Sequence, residues 1–315
     1  TAWVYTYPLY SLYSEVKMRN STYDGTGAGR SGDDWCNGLW SYGPSDKTST
    51  ATFDVKGCLF KNASYYAVGT SWAKTAKITG NSFQNCRYAI HGHAAEVAIQ
   101  NNILEQKSDA PGYKQWSWGI YSYGEKVTSS QSWGTAGFKA TKTPVICTNN
   151  SIKGYYLGLY VGGNNTDLTG CSVEGYGCDP YVSNGSGGWQ VKSDWQHSYG
   201  IYMWGSWYQT DFTSTGPWAY RGCDTFTLTG AQNVTLKTCG TAIVGGETDV
   251  TLDGVTLENH WDGINSNGKL TLRNCNVKNI RSTALALWLP QSVTLDNTKF
   301  NNNGNAVGGA TYNYI

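Results

Sequence analysis

The sequence predicts an all-β solenoid, and three observations predict it. A short pattern recurs in residues 250–259, 270–279 and 293–302. Each copy has two alternating apolar positions (Val250 and Leu252, Leu270 and Leu272, Val293 and Leu295) and then Gly254, Asn274 or Asn297. An apolar residue follows three positions on (Leu257, Val277, Phe300), then another Asn (Asn259, Asn279, Asn302). Alternation with period two means strand, and Gly or Asn between strands marks a corner at positive φ. The second observation is a further short apolar strand after each copy, at Ile264, at residues 284–287 and at Val307. The third is the absence of any helical period; a repeat of roughly 20–24 residues made only of strands is the mark of a β-solenoid.

The same pattern fits seven earlier segments, each ending in a corner: Val16 to Asn20, Phe53 to Gly57, Ala76 to Gly80, Val97 to Asn101, Val145 to Asn149, Thr166 to Gly170 and Phe226 to Gly230. The residues after the corners (Ser21, Cys58, Asn81, Asn102, Asn150, Cys171, Ala231, Val255, Cys275, Thr298) are expected to form one inward ladder of small side chains. The Phe226 copy fits least well, because Asn233 falls where an apolar residue is due. Second strands lie at Leu39-Trp40, Ala67-Val68, Ala89-Ile90, Ile120-Tyr121, Leu159-Tyr160 and Ile201-Tyr202. The fourth and sixth repeats are swollen, by insertions at 107–142 and 176–223. Residues 1–15 alternate as an aromatic terminal strand, and the whole chain, 1–315, reads as one domain.

This pattern resembles the right-handed parallel β-helices of the pectin-lyase-like superfamily over nearly the whole length. The resemblance implies a single-stranded right-handed β-helix of about ten coils; at roughly 4.8 Å per coil the rod is on the order of 50 Å long. It is a resemblance of architecture and not of a particular enzyme.

Composition bounds the partners. Only 14% of residues are charged and the net charge is +1, which implies no nucleic-acid partner. High Gly (39), Trp (14) and Tyr (23) counts describe an extracellular β protein with a neutral, aromatic outer face. No apolar run approaches the roughly 20 residues that span a bilayer. A start at Thr1 is what removal of a signal peptide would leave, so a secreted or cell-surface location is expected. The nine cysteines form no metal or haem motif, and no metal or other cofactor is expected. Cys58, Cys171 and Cys275 read as small buried hydrophobes, while Cys36, Cys178 and Cys223 are placed in loops as disulfide candidates, with Cys178 and Cys223 expected close enough to bridge.

Eight tryptophans lie in the swollen repeats: Trp116, Trp118, Trp133, Trp189, Trp195, Trp204, Trp207 and Trp218, accompanied by Tyr121, Tyr199 and Tyr202. Long aromatic loops on a rigid scaffold carry function, as a satellite core, a protein interface or a platform for sugar faces. A catalytic set is not legible. Asp262-Gly263-Ile264 is similar to a polygalacturonase motif, but Asn265-Ser266-Asn267 stands where acids should follow. Glu125, Asp194, His197 and Asp211 remain as loop candidates without informative spacing. His91 and His93 share one side of a strand, yet two ligands do not make a zinc site. Asn164 and Asn184 are the loop sequons open to glycosylation.

Two function classes stay open. The preferred one is a structural or adhesive unit of an extracellular assembly, partnered by copies of itself and by polysaccharide. The other is a secreted lyase or glycoside hydrolase with its cleft at the aromatic loops. The preference comes from the ends, which carry Trp3, Tyr5, Tyr7, Tyr312 and Tyr314 and show no capping helix. Uncovered strand edges invite other chains, so these segments are expected either to fold over their own ends or to join a neighbour's sheet head to tail.

Overall fold

The computed structural model describes residues 5–6, 8–26, 35–43, 51–107, 117–127, 140–142, 145–162, 166–176, 181–183, 189–191, 198–203, 227–230, 232–246, 249–266, 268–287 and 292–309. Among these there is no helix, and the strands form long parallel stacks consistent with a β-helix. The stack we call sheet B has ten strands, running from Thr22–Asp24, Leu59–Lys61 and Ser82–Gln84 to Asn276–Lys278 and Lys299–Asn301. Each strand comes from the next repeat along the sequence. Sheet A runs from Val16–Arg19 and Thr52–Lys56 to Leu270–Arg273 and Val293–Asp296. Sheet C runs from Leu9–Leu12 and Leu39–Tyr42 to Thr283–Leu287 and Asn305–Gly309. Parallel neighbours need a crossover, and here the strands of the other two sheets supply it. Two strands, Tyr66–Thr79 and Tyr88–Gln100, pass unbroken from sheet C into sheet A. The described pairings do not return to the first strand, so no sheet closes on itself.

Alternation along the strands fills the interior. Phe53, Val55, Ile78, Ile99, Val250, Leu252, Leu270 and Leu272 are buried from sheet A, and Phe60, Phe83, Leu104 and Ile152 from sheet B. Val293 and Leu295 continue the same pattern, yet they are 37% and 46% exposed. They belong to the last described strand of sheet A, and only the rung before covers them.

The expected corner column stands at positive φ: Asn20 (48°), Gly57 (67°), Gly80 (65°), Asn101 (57°), Asn149 (55°), Gly170 (72°), Gly254 (66°), Asn274 (52°) and Asn297 (46°). Two of these glycines are required by space as well as by φ. A Cβ on Gly57 would lie 2.6 Å from Asn20 Oδ1, and one on Gly170 would lie 2.0 Å from Asn149 Oδ1. The seventh repeat departs from the expectation. Its corner is Asn233 (φ 54°), three residues beyond Gly230, which ends the strand Thr227–Gly230. Buried Val234 therefore takes the ladder place assigned to Ala231, which lies outside the described residues.

The ladder itself is present: Cys58, Asn81, Asn102, Asn150, Cys171, Val255 and Cys275 are all buried. Its middle is a chain of amides. Asn81 Nδ2 donates to Asn102 Oδ1 (3.0 Å), and Asn102 Nδ2 donates to Asn150 Oδ1 (3.0 Å) and to the Ile78 carbonyl (2.9 Å). The backbone N–H groups of Cys58, Asn81 and Asn102 donate to Asn81 Oδ1, Asn102 Oδ1 and Asn150 Oδ1 respectively, which satisfies these buried groups.

The N-terminal strands run parallel to their neighbours and extend the stack, with Tyr5–Thr6 beside Trp35–Cys36 and Leu9–Leu12 beside Leu39–Tyr42. Within the insertions, Ala140–Lys142 pairs antiparallel with the end of Trp118–Val127, and Tyr181–Ser183 pairs antiparallel with Trp189–Val191. Among the described residues Cys58, Cys86, Cys147, Cys171, Cys239 and Cys275 are free and buried, and no disulfide joins them. Cys36, expected in a loop, is on the strand Trp35–Cys36. Cys178 and Cys223 lie outside the described residues. No described helix is long and apolar enough to cross a membrane.

Candidate functional site

The outer side of sheet C carries an unbroken network of rings. One in-register column reads Tyr10, Trp40, Gly69, His91, Tyr121, Tyr160 and Tyr202. A flanking column reads Tyr66, Tyr88, Trp118, Leu157 and Tyr199. Rungs about 4.8 Å apart bring such side chains into contact. Tyr121 and Tyr160 lie 4.9 Å apart, Tyr160 and Tyr202 5.3 Å, Tyr88 and Trp118 4.7 Å, and Trp118 and Tyr121 5.3 Å. Gly69 is the one small residue in the first column. A Cβ there would lie 2.1 Å from Trp40 Cζ3, because the indole covers the glycine. Trp40 thereby reaches across the rung to His91, at 5.0 Å between ring centroids.

His91 sits in a box of Trp40, Tyr66 (5.2 Å) and Tyr121 (4.8 Å). Its Nε2 is 3.5 Å from Ser71 Oγ, and its buried Nδ1 has no hydrogen-bond partner. Burial, with His93 alongside, pulls its pKa down to about 3, so the imidazole is neutral near pH 7. Burial also raises the phenols of Tyr66, Tyr88 and Tyr156, and takes Tyr199 to about 12. The face therefore offers neutral rings and hydroxyl donors and carries little charge. Beyond Tyr202 the column turns aliphatic and small, with Val244, Asn265, Ala286 and Gly308.

Trp118, expected in a loop, belongs to a strand of this sheet, and so does Tyr202, expected on a strand. Glu125 is on the strand Trp118–Val127, and Trp189 is on Trp189–Val191. Trp116, Trp133, Trp195, Trp204, Trp207, Trp218, Asp194, His197, Asp211, Asn164 and Asn184 lie outside the described residues. So do Trp3, Tyr7, Tyr312 and Tyr314, while Tyr5 opens the strand Tyr5–Thr6. Sequence reasoning fixed on the loops and missed Trp40, Tyr66, Tyr88, His91 and Tyr160. The signal was present: aligning the second strands puts Trp40, His91, Tyr121, Tyr160 and Tyr202 at one position.

Fold and face together define an all-β protein of stacked parallel rungs with one aromatic side. Against family models, curated proteins and solved structures, the chain finds no match.

Proposed function

We propose that this chain is a ten-coil right-handed parallel β-helix of the pectin-lyase-like kind, secreted and acting as an adhesive unit outside the cell. The outer face of sheet C is its contact surface for polysaccharide. The observation that carries this reading is the continuity of the ring network from Tyr10 to Tyr202. Aromatic rings present flat apolar area with polar edges, and they do so at small conformational cost once packed. The second reading, a secreted carbohydrate-active enzyme, is favoured by the presence of Glu125 on the strand that carries Trp118 and Tyr121.

Titrating the intact protein with cellohexaose, xylohexaose and hexagalacturonate, while following reducing ends and unsaturated products, separates the two. Binding of the neutral oligosaccharides without turnover is expected. Turnover that disappears in Glu125→Gln would establish the enzyme instead.

Head-to-tail stacking of copies belongs to the same reading. Leu9 (46% exposed) and Leu295 (46%) leave apolar area open at opposite ends of the described rungs. A neighbour in the register of the repeats would set Val293 against Val16, Leu295 against Met18 and Asp296 beside Arg19. Leu9–Leu12 occupies the place that the neighbour's Asn305–Gly309 would take in sheet C, so stacking requires that strand to lift. Sedimentation should show association that rises with concentration and is lost in Leu295→Lys. A protein monomeric at every concentration contradicts stacking.

A further inference from the structure

The positive-φ residues in the two corner columns that leave sheets A and B are Asn and Gly, with Thr238 the exception. The third corner, where sheet C passes into sheet A, is different. Tyr13 (φ 56°) and Trp72 (φ 58°) both adopt left-handed backbone there, in the same column on either side of Gly43. Positive φ is a true outlier for a bulky side chain, and such strain persists only where the surrounding structure holds it. At Trp72 the cause is a β-bulge. Thr70 pairs with Gly92 and Ala73 with Ala94, so Ser71 and Trp72 stand opposite the single residue His93. A bulge re-aims the side chain it carries. Here it places the Trp72 indole at the edge of the aromatic face, 5.7 Å from the Tyr42 ring at 33° and 6.2 Å from His93 at 65°. Tyr10 closes on Tyr42 from the next rung, 6.0 Å away. No carboxylate or ammonium belongs to this set.

Resting on the adhesive reading, we infer that Trp72, with Tyr42 and Tyr10, forms a terminal stacking subsite for a neutral, flat-faced sugar ring. This places one end of a bound chain at the first rungs, with the rest of the chain running along Tyr121, Tyr160 and Tyr202. The bulge exists to present the indole. An Asn or Gly at residue 72 would suit the backbone better but would present no ring.

Three variants of the intact protein test this, with xylohexaose as probe by calorimetry and thermal unfolding as a fold check. Trp72→Asn relieves the backbone and removes the ring; the midpoint of unfolding should hold or rise while affinity falls about tenfold or more, equivalent to about 1.4 kcal/mol. Trp72→Phe keeps a ring on the strained backbone and should keep most of the affinity. Tyr160→Ala, on the central column, reports on the face as a whole and should weaken binding by itself. If Tyr160→Ala loses affinity and Trp72→Asn binds as the parent does, the subsite is wrong and the adhesive reading stands. If Trp72→Asn lowers the unfolding midpoint and leaves affinity intact, the indole is a packing element and the inference fails. If the parent binds no neutral oligosaccharide, the adhesive reading fails and the subsite fails with it.

Discussion

His260, fully buried, accepts the Cys239 N–H at Nδ1 (3.0 Å) and donates Nε2–H to the Leu236 carbonyl (2.9 Å). A backbone N–H can only donate and a carbonyl can only accept, so these partners fix one neutral tautomer. Burial pulls the pKa down to about 4. The unfolded chain binds this proton near pH 6.5 and the folded protein does not, so stability is complete above about 6.5 and is lost as pH falls toward about 4. The loss through this one group is about 3 kcal/mol. His91, with its pKa near 3, adds to it in the same direction. Denaturant titrations at pH 7 and pH 4 should show this drop, and His260→Gln should flatten it. An unchanged pH profile in that variant would contradict the assignment. No sequence pattern marks His260, because a buried histidine replacing an apolar residue has no local signature. The corner residues were legible because left-handed backbone leaves Asn and Gly as almost the only choices. The slip to Asn233 was visible only as a misfit.

Ladders that connect repeats decide the register of the elements. Along sheet B one in-register outer column reads Glu105, Lys153, Glu174, Lys237, Glu258 and Lys278. Ion pairs join Lys153 to Glu174 (3.1 Å) and Lys278 to Glu258 (3.1 Å). Each such pair is partly exposed and contributes little, but sliding one rung would bring like charges together. The inner amide ladder holds the same register far more strongly. Asn102→Ala would take the Asn102 donor from the Ile78 carbonyl and the acceptor from the Asn81 N–H, and leave the Asn81 amide only its bond to the Val55 carbonyl, in a dry interior. A loss of about 3 kcal/mol in unfolding free energy is expected, measured by denaturant titration. A loss under about 1 kcal/mol would mean that water replaces the amide. The small-residue ladder could be read from sequence, since a short side chain recurs after each corner. Its hydrogen-bond chain could not, because it depends on which amides fall on adjacent rungs.

For the whole molecule, periodicity carried the parallel stacking and the corners, since both repeat. The aromatic face was harder to see. Its residues are spread over repeats of unequal length, and Gly69, where Trp40 fills the gap, breaks the column. Loop tryptophans drew the eye instead, because their local density is higher. The exposed Val293 and Leu295 show the converse limit: a repeat pattern specifies which way a side chain points but does not specify that another rung will cover it. We propose the outer side of sheet C as the place where this protein makes contact. Hydroxyl-radical footprinting of the intact protein, with and without saturating xylohexaose, tests it most directly. Protection of Trp118, Tyr121, Tyr160 and Tyr202 is expected, with no change at Phe300 or along the sheet B column of Lys153 and Glu174. Protection confined to sheet B, or binding with no change at the four sheet C rings, would contradict it.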